Sequence, residues 1–299
     1  MKKFVIVTDS CSEMNRELRE RFDVDYIPMS MTVQGKVMDA DLDWQEVSVK
    51  EFYENMRNGG RVTTAQITAA KYKERFEQYI KDGCDVLSNT CSSALSASIH
   101  SSIAARDELL KVYPDSKIIC IDSLMAGFGL GMMCIHASEM RAEGKTIEET
   151  AAWVEANKLK VHQECTVDKL TYLKQAGRVS AASAFFGGLL NVKPIIISDA
   201  VGNNAAVEKV KGRQTSIDRV VERFKEQYED VPYQRIFVGH ADCEEEGLKF
   251  KENIMEAMPN KNVEVYFGNI GPIIGGSAGP GTLAVYFYGT EVTYAATEK

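Results

Sequence analysis

Two segments of this 299-residue chain carry more hydroxyl side chains than helix capping can use. In Arg61-Val62-Thr63-Thr64-Ala65-Gln66-Ile67-Thr68, Thr68 is placed to cap a helix expected over Ala69 to Ile80, which leaves Thr63 and Thr64 over. In Ser88-Asn89-Thr90-Cys91-Ser92-Ser93-Ala94-Leu95-Ser96-Ala97-Ser98, one residue again suffices as cap for a helix running to about Lys111. Neutral hydroxyls gathered between the end of a strand and the start of a helix can hold an anionic group, alongside the free N–H groups of the helix. Close helix packing is the competing use of such small residues.

Nucleophilic and metal chemistry find less support. Cys11 lies in the strand-to-helix turn Thr8-Asp9-Ser10-Cys11-Ser12-Glu13, but the next arginine, Arg16, is one position short of a Cys-x5-Arg phosphate cradle. Glu13 would repel a phosphate, and Ser10 with Glu13 has the spacing of a capping box. His240-Ala241-Asp242-Cys243 groups three reactive side chains, yet a strand-end loop with Asp242 capping the next helix accounts for them. The histidines at 100, 136, 162 and 240 show no metal-ligand spacing. Neither a Gly-x-Ser-x-Gly elbow nor a Gly-x4-Gly-Lys-Ser/Thr loop occurs. The enzymatic alternative is a small hydrolase or phosphotransferase that uses Ser92 to Ser98 with His240 on a phosphorylated metabolite. It needs a general base within reach of a serine, and the hydroxyl segments contain no histidine or acid.

The elements that must position these residues alternate strand and helix. Strands are expected at Lys3 to Val7, Asp25 to Ile27, Cys84 to Leu87 and Lys117 to Ile121, with a hairpin turning at Gln34-Gly35. Helices are expected at Val49 to Met56, after Ser98, through Gly127-x-Gly129-x-Gly131, and over Thr146 to Val161. Those three glycines do not have dinucleotide-fingerprint spacing and instead let an apolar group approach the helix. This order predicts an α/β protein of two domains. Residues 1–160 form a three-layer α/β/α unit on a parallel sheet, and residues 161–299 form a two-layer α/β unit on a mixed sheet. In the second half, Gly177 ends a short helix, Arg178 lies in a joint, and Ser180 caps a new start. Val201 to Asn204 turns a hairpin, and helices lie near Ser216 to Tyr228 and Glu244 to Met258. Gly268 to Gly281 holds six glycines and two prolines and reads as a wide, tightly packed turn between two strands.

With 44% apolar and 26% charged residues and a net charge of -8, the composition is that of an ordinary globular protein and argues against a nucleic-acid surface. The seven scattered cysteines read as reduced thiols. No apolar run approaches membrane-spanning length, and none at the start resembles a signal peptide, so a cytoplasmic location is expected and the chain is not expected to be an integral membrane protein. Transient contact with a membrane surface stays open. No cofactor or metal is expected.

Taken together, Thr8-Asp9-Ser10, Thr64-Ala65-Gln66, Ser92-Ser93-Ala94-Leu95-Ser96, Leu173 to Ser180, Gly239-His240-Ala241-Asp242, and Ile270-Gly271-Pro272 through Gly279-Pro280-Gly281-Thr282 resemble the signature blocks of the DegV family. The resemblance spans the whole chain. It implies a non-catalytic lipid carrier that binds a long-chain fatty acid in a buried pocket between or beside the two domains. It further implies presentation of the carboxylate to a separate ATP-binding fatty acid kinase subunit. On this resemblance Thr64 and Ser96 donate hydrogen bonds to the carboxylate, with Thr63 as the fallback, and Arg178 faces the kinase partner. Two departures stand out. Ala65 and Ile67 replace a serine and a proline common in the family, and Ser277 stands where a histidine is often found beside the head group. A carrier of another amphipathic acid is the remaining alternative.

Overall fold

The computed structural model describes residues 3–180 and 191–296. The chain begins with β1 (Phe4–Asp9), α1 (Arg16–Phe22), β2 (Val24–Ile27), the strands β3 (Ser30–Val33) and β4 (Lys36–Asp39), α2 (Val49–Arg57) and β5 (Val62–Ala65). It continues through α3 (Ala69–Lys81), β6 (Asp85–Thr90), α4 (Ser98–Val112), β7 (Ile118–Asp122), α5 (Phe128–Ala142) and α6 (Ile147–Asn157). The second half runs β8 (Val161–Thr166), α7 (Leu170–Ala176), β9 (Val179–Ser180), β10 (Val192–Ser198), β11 (Asn204–Lys211), α8 (Arg213–Gln227) and β12 (Ile236–His240). It closes with α9 (Glu244–Ala257), β13 (Val265–Asn269), α10 (Pro272–Ala278) and β14 (Leu283–Tyr288).

The protein is a two-domain α/β structure. The first sheet, in the order β2-β1-β6-β7, is parallel throughout. Helices α3 and α4 pack on β6 and β7, and α5 and α6 pack on the same sheet and on each other. Strands β1 and β6 are buried along almost their whole length, as a sheet covered on both faces requires. The second sheet, β13-β12-β14-β8-β10-β11-β9, is mixed. Leu283, Val285 and Phe287 of β14 join the apolar cluster made with α8 and α9, whereas Ala284, Tyr286 and Tyr288 join the cluster that extends into the first unit. Helix α5 closes that second face, with Phe128 stacked on Phe237 at 5.2 Å.

A third, three-stranded antiparallel sheet, β4-β3-β5, is partly legible in the sequence. Gln34 and Gly35 turn the β3–β4 hairpin with φ of 51° and 77°. The hydroxyl segment at Val62–Ala65 was not expected to be a strand, and it pairs with β3 through Met31↔Thr64 and Thr32↔Thr63. Four further readings are corrected. Ser10 and Glu13 form no capping box, because the Ser10 hydroxyl donates to Ala40 O at 2.7 Å and accepts from Met29 N–H at 2.9 Å. Asp242 does not cap α9; it pairs with Arg57 at 2.5 Å, and the N-cap position is Cys243. The glycine-rich run is not a wide turn, since Pro272 opens the seven-residue helix α10 at its first position. The helix start expected after Ser180 falls on residues 181–190, outside the described residues. The helix expected to Val161 ends at Asn157, and Val161 already belongs to β8. Its capping box at Thr146 and Glu149 is present.

Candidate functional site: a cavity with a polar rim

Strand β1 has β2 on one side and β6 on the other, so the loops leaving β1 and β6 part from each other. Such a reversal opens a crevice beyond the carboxyl ends of the strands, where α/β proteins bind ligands. Asp9, the last residue of β1, sets both loops: one carboxylate oxygen accepts the Cys11 N–H and the other the Cys91 N–H, each at 2.8 Å. Burial pushes this carboxyl up to about 6, and the two N–H donors hold it from rising further.

A cavity of about 430 Å³ occupies the crevice and reaches the second sheet. That is within the roughly 300–1,000 Å³ common for small-molecule sites. Its wall is amphipathic. The exposed or half-exposed members include Thr64, Gln66, Ser93, Ser96 and Arg178. Its deep members include Met29, Cys165, Ile196, Ala284 and Tyr286, all buried. Gln163 and Thr282 are deep and polar, but Gln163 donates to Asn204 Oδ1 at 3.1 Å and Thr282 to Gly279 O at 2.7 Å. The space therefore has one wet hydrogen-bonding end and a dry apolar body.

The sequence-selected residues come together with one exception. Thr64, Ser96, Ser277 and Arg178 all stand in the cavity wall. Thr63 does not; it follows Val62 in β5, where neighbouring side chains take opposite faces. Ser96 Oγ lies 3.0 Å from Ser98 Oγ and accepts the Ser98 N–H at 3.3 Å, while Ser98 Oγ accepts the Ile67 N–H at 3.3 Å. These bonds tie the serine loop to the segment after β5. Ser277 donates back to Ile273 O at 3.3 Å within α10. Arg178 is exposed and donates to Ala176 O at 3.0 Å and Leu95 O at 3.4 Å, so it bridges the joint after α7 to the serine loop. It is the one cation among the described wall residues, a neighbour that the motifs alone did not place beside the rim.

Three cysteines in the wall, Cys11, Cys91 and Cys165, were not foreseen there. Cys11 and Cys91 each follow a strand that ends at the crevice, which is the signal that could have found them. The Cys91 thiol and then burial push Cys11 well above the ordinary range; the Cys11 thiol draws Cys91 down, but burial leaves it raised as well. Burial pushes Cys165 up to about 12. These thiols are apolar wall, not nucleophiles. All seven cysteines are free.

Glu13, beside the crevice, is 5% exposed and holds the Gly271 N–H at the start of α10. Burial pushes its carboxyl up to about 8, against the lowering effect of that N–H. The unfolded chain has lost this proton well before neutral pH, whereas the native chain keeps it to about 8. The native state therefore holds the extra proton and loses stability as pH rises through this window, by up to about 1.4 kcal/mol per unit. His162 and His240, both lowered by burial, oppose the trend only below about neutral pH. The urea midpoint should fall between pH 7 and 8, and the fall should be much smaller in Glu13→Gln. Equal slopes would show that Glu13 is already ionised in the native chain.

Among the described residues no helix is long and apolar enough to cross a membrane, and no group of three or more His, Cys, Asp or Glu side chains could hold a metal ion. Comparison with known proteins adds to this picture. The model of the DegV family, described as "Uncharacterised protein, DegV family", matches residues 3–290. A DegV domain-containing protein of Clostridium perfringens is 36% identical over 289 residues, covering 97% of this chain and 98% of its own. A DegV family protein from Thermus thermophilus, described for its fatty acid binding, superposes with a TM-score of 0.85 at 25% identity, over 97% of this chain and 100% of the other. DegV of Bacillus subtilis, described as a fatty acid binding protein, gives a TM-score of 0.82 at 28% identity, over 97% and 100%. The match along nearly the whole length, in sequence and in fold, makes this chain a member of the DegV family.

Proposed function

We propose that this protein binds a long-chain fatty acid in the cavity and presents its carboxyl group to a separate ATP-dependent fatty acid kinase, which forms the acyl phosphate. The observation that carries this reading is the polarity of the wall, with Thr64, Ser93, Ser96 and Arg178 at the open end and buried apolar side chains beyond them. Related proteins described as fatty acid binding support it. The tail supplies the affinity: about fourteen methylenes at about 0.8 kcal/mol each give on the order of 11 kcal/mol before ordering costs. Hydrogen bonds of roughly 1 kcal/mol each orient the head without dominating binding. Thr64 and Ser96 serve as donors, Ser277 stands near them on α10, and Arg178 serves the head group or the docked kinase. The two units, 1–160 and 161–299, divide where β8 begins, and a cytoplasmic location fits the role.

An enzymatic reading is less well supported, because no histidine, aspartate or glutamate stands among the described wall residues to act as general base for a serine. Another amphipathic acid would fit the same polarity. The test is mass spectrometry of protein purified without added lipid, intact and after solvent extraction. A bound C14 to C18 fatty acid is expected. Ser96→Ala should retain that lipid while losing most phosphorylation by a fatty acid kinase. A clean apo mass with no uptake on incubation would overturn the reading, and equal loss of retention and phosphorylation would overturn the role of Ser96.

A further inference from the structure

A second cavity, of about 340 Å³, shares no wall residue with the first. It lies between the segment around α1 and the strands β12 and β13, and its wall is aromatic, with Trp44, Phe128, Phe237, Tyr266 and Phe267. Three of these rings form a continuous stack: Phe128 on Phe237 at 5.2 Å, and Phe237 on Tyr266 at 4.4 Å with 9° between planes. Glu13 stands in the same wall. It is 5% exposed; one carboxyl oxygen accepts the Gly271 N–H, and the other, Oε1, is buried with no hydrogen-bond partner among the described residues.

The unpartnered oxygen sets the chemistry. Clamping Gly271 takes one carboxyl oxygen, so a purely structural role leaves Oε1 without use. A buried acceptor left unbonded destabilises the structure, more so if charged. A ligand that donates N–H bonds recovers that cost. No lysine, arginine or histidine stands among the described wall residues, and Glu17 adds a second carboxylate. Aromatic faces carry negative potential and attract cations, as Arg21 over the Tyr266 ring at 5.9 Å already illustrates, and an ionised carboxyl adds a charge-assisted hydrogen bond. Glu13 keeps its proton in the free protein at neutral pH, so an ammonium ion that takes Oε1 as its acceptor displaces that proton to solvent, whereas a neutral apolar molecule leaves this oxygen without a partner. We propose that this second cavity binds a small organic ammonium ion, with its N–H donors on Glu13 Oε1 and its hydrocarbon body against the stacked rings. The proposal does not rest on the lipid reading of the first cavity.

The probe is the 2-phenylethylammonium ion, with 2-phenylethanol as its uncharged counterpart, titrated into full-length protein carrying 15N-labelled tryptophan. The chain has two tryptophans, so Trp44 in the wall and Trp153, outside it, report separately. The ammonium ion should bind at least about tenfold more tightly than the alcohol and move the Trp44 indole signal while leaving Trp153 in place. Glu13→Gln should remove at least about tenfold of the ammonium affinity and leave the alcohol unchanged. Failure of the ammonium ion to bind at millimolar concentration, equal binding of the alcohol, or a shift at Trp153 alone would overturn the proposal. The charge comparison on the unmodified protein decides the matter even if Glu13→Gln does not fold.

Discussion

Ala284→Phe should lower fatty acid affinity by about a thousandfold while leaving the fold intact. Ala284 is 1% exposed, lies opposite Cys165 on β8 and Gly239 on β12, and contributes to the cavity wall. Its neighbours Leu283 and Val285 face the α8 and α9 layer instead, so the side chain at 284 stands on the face that carries the cavity, within the apolar cluster shared with the first unit. A phenyl ring there would exclude about five methylenes of the tail, worth about 4 kcal/mol, which is about three orders of magnitude in affinity. The ring draws on the space of the cavity, which keeps the overpacking strain to about 1–3 kcal/mol. Displacement of a fluorescent fatty acid measures the affinity, and a thermal melt checks the fold. Unchanged affinity with an intact melt would place the tail elsewhere.

Gly279→Ala should give a large loss of stability without touching the lipid. Gly279 has φ of 83° and ψ of 168°, a region open to glycine alone. A methyl group at this position would come within 2.1 Å of the Tyr172 ring. That ring is buried, and its hydroxyl donates to Met56 O at 3.3 Å, so it does not swing away freely. Backbone strain and overpacking together cost about 4 kcal/mol, or about 8 °C in melting temperature for a chain of this size. Gly144→Ala is the control, since Gly144 also has positive φ but nothing within 4 Å of an added methyl. A similar small drop in both variants would mean that Tyr172 yields to the added methyl.

The same local pattern, a hydroxyl followed three residues later by glutamate, occurs at Ser10, Ser48 and Thr146, and it behaves differently at one of them. Ser48 and Thr146 stand at surface helix starts and form capping boxes. At Ser10, two backbone groups far away in sequence, at Met29 and Ala40, take the hydroxyl. Glu13 is then turned inward, to the start of a helix near the other end of the chain. Local spacing states which bonds a segment can make, and burial decides which of them it does make. Of the hydroxyl surplus at Thr63, Thr64 and Ser92 to Ser98, counted against the local need for caps, Thr64, Ser93 and Ser96 stand in the cavity wall. The surplus could not separate Thr64 from Thr63, since the choice depends on the pairing of β5 with β3.

Order and type of the main elements, the two-domain α/β architecture, the family, and the hydroxyl runs at the crevice were all written in local patterns and spacings. The lining of the dry end was not. Strands β8, β10 and β14 are buried on both faces, so Leu-Ala-Val-Tyr-Phe-Tyr in β14 shows no polar alternation to say which residues look into the cavity and which into the α8 and α9 layer. Only the packing of the second sheet on α5 makes that choice. Likewise, the glycines from Gly268 to Gly281 announced a close approach, but their partners, such as Tyr53 at Gly275 and Tyr172 at Gly279, lie so far away in sequence that only the folded chain brings them together.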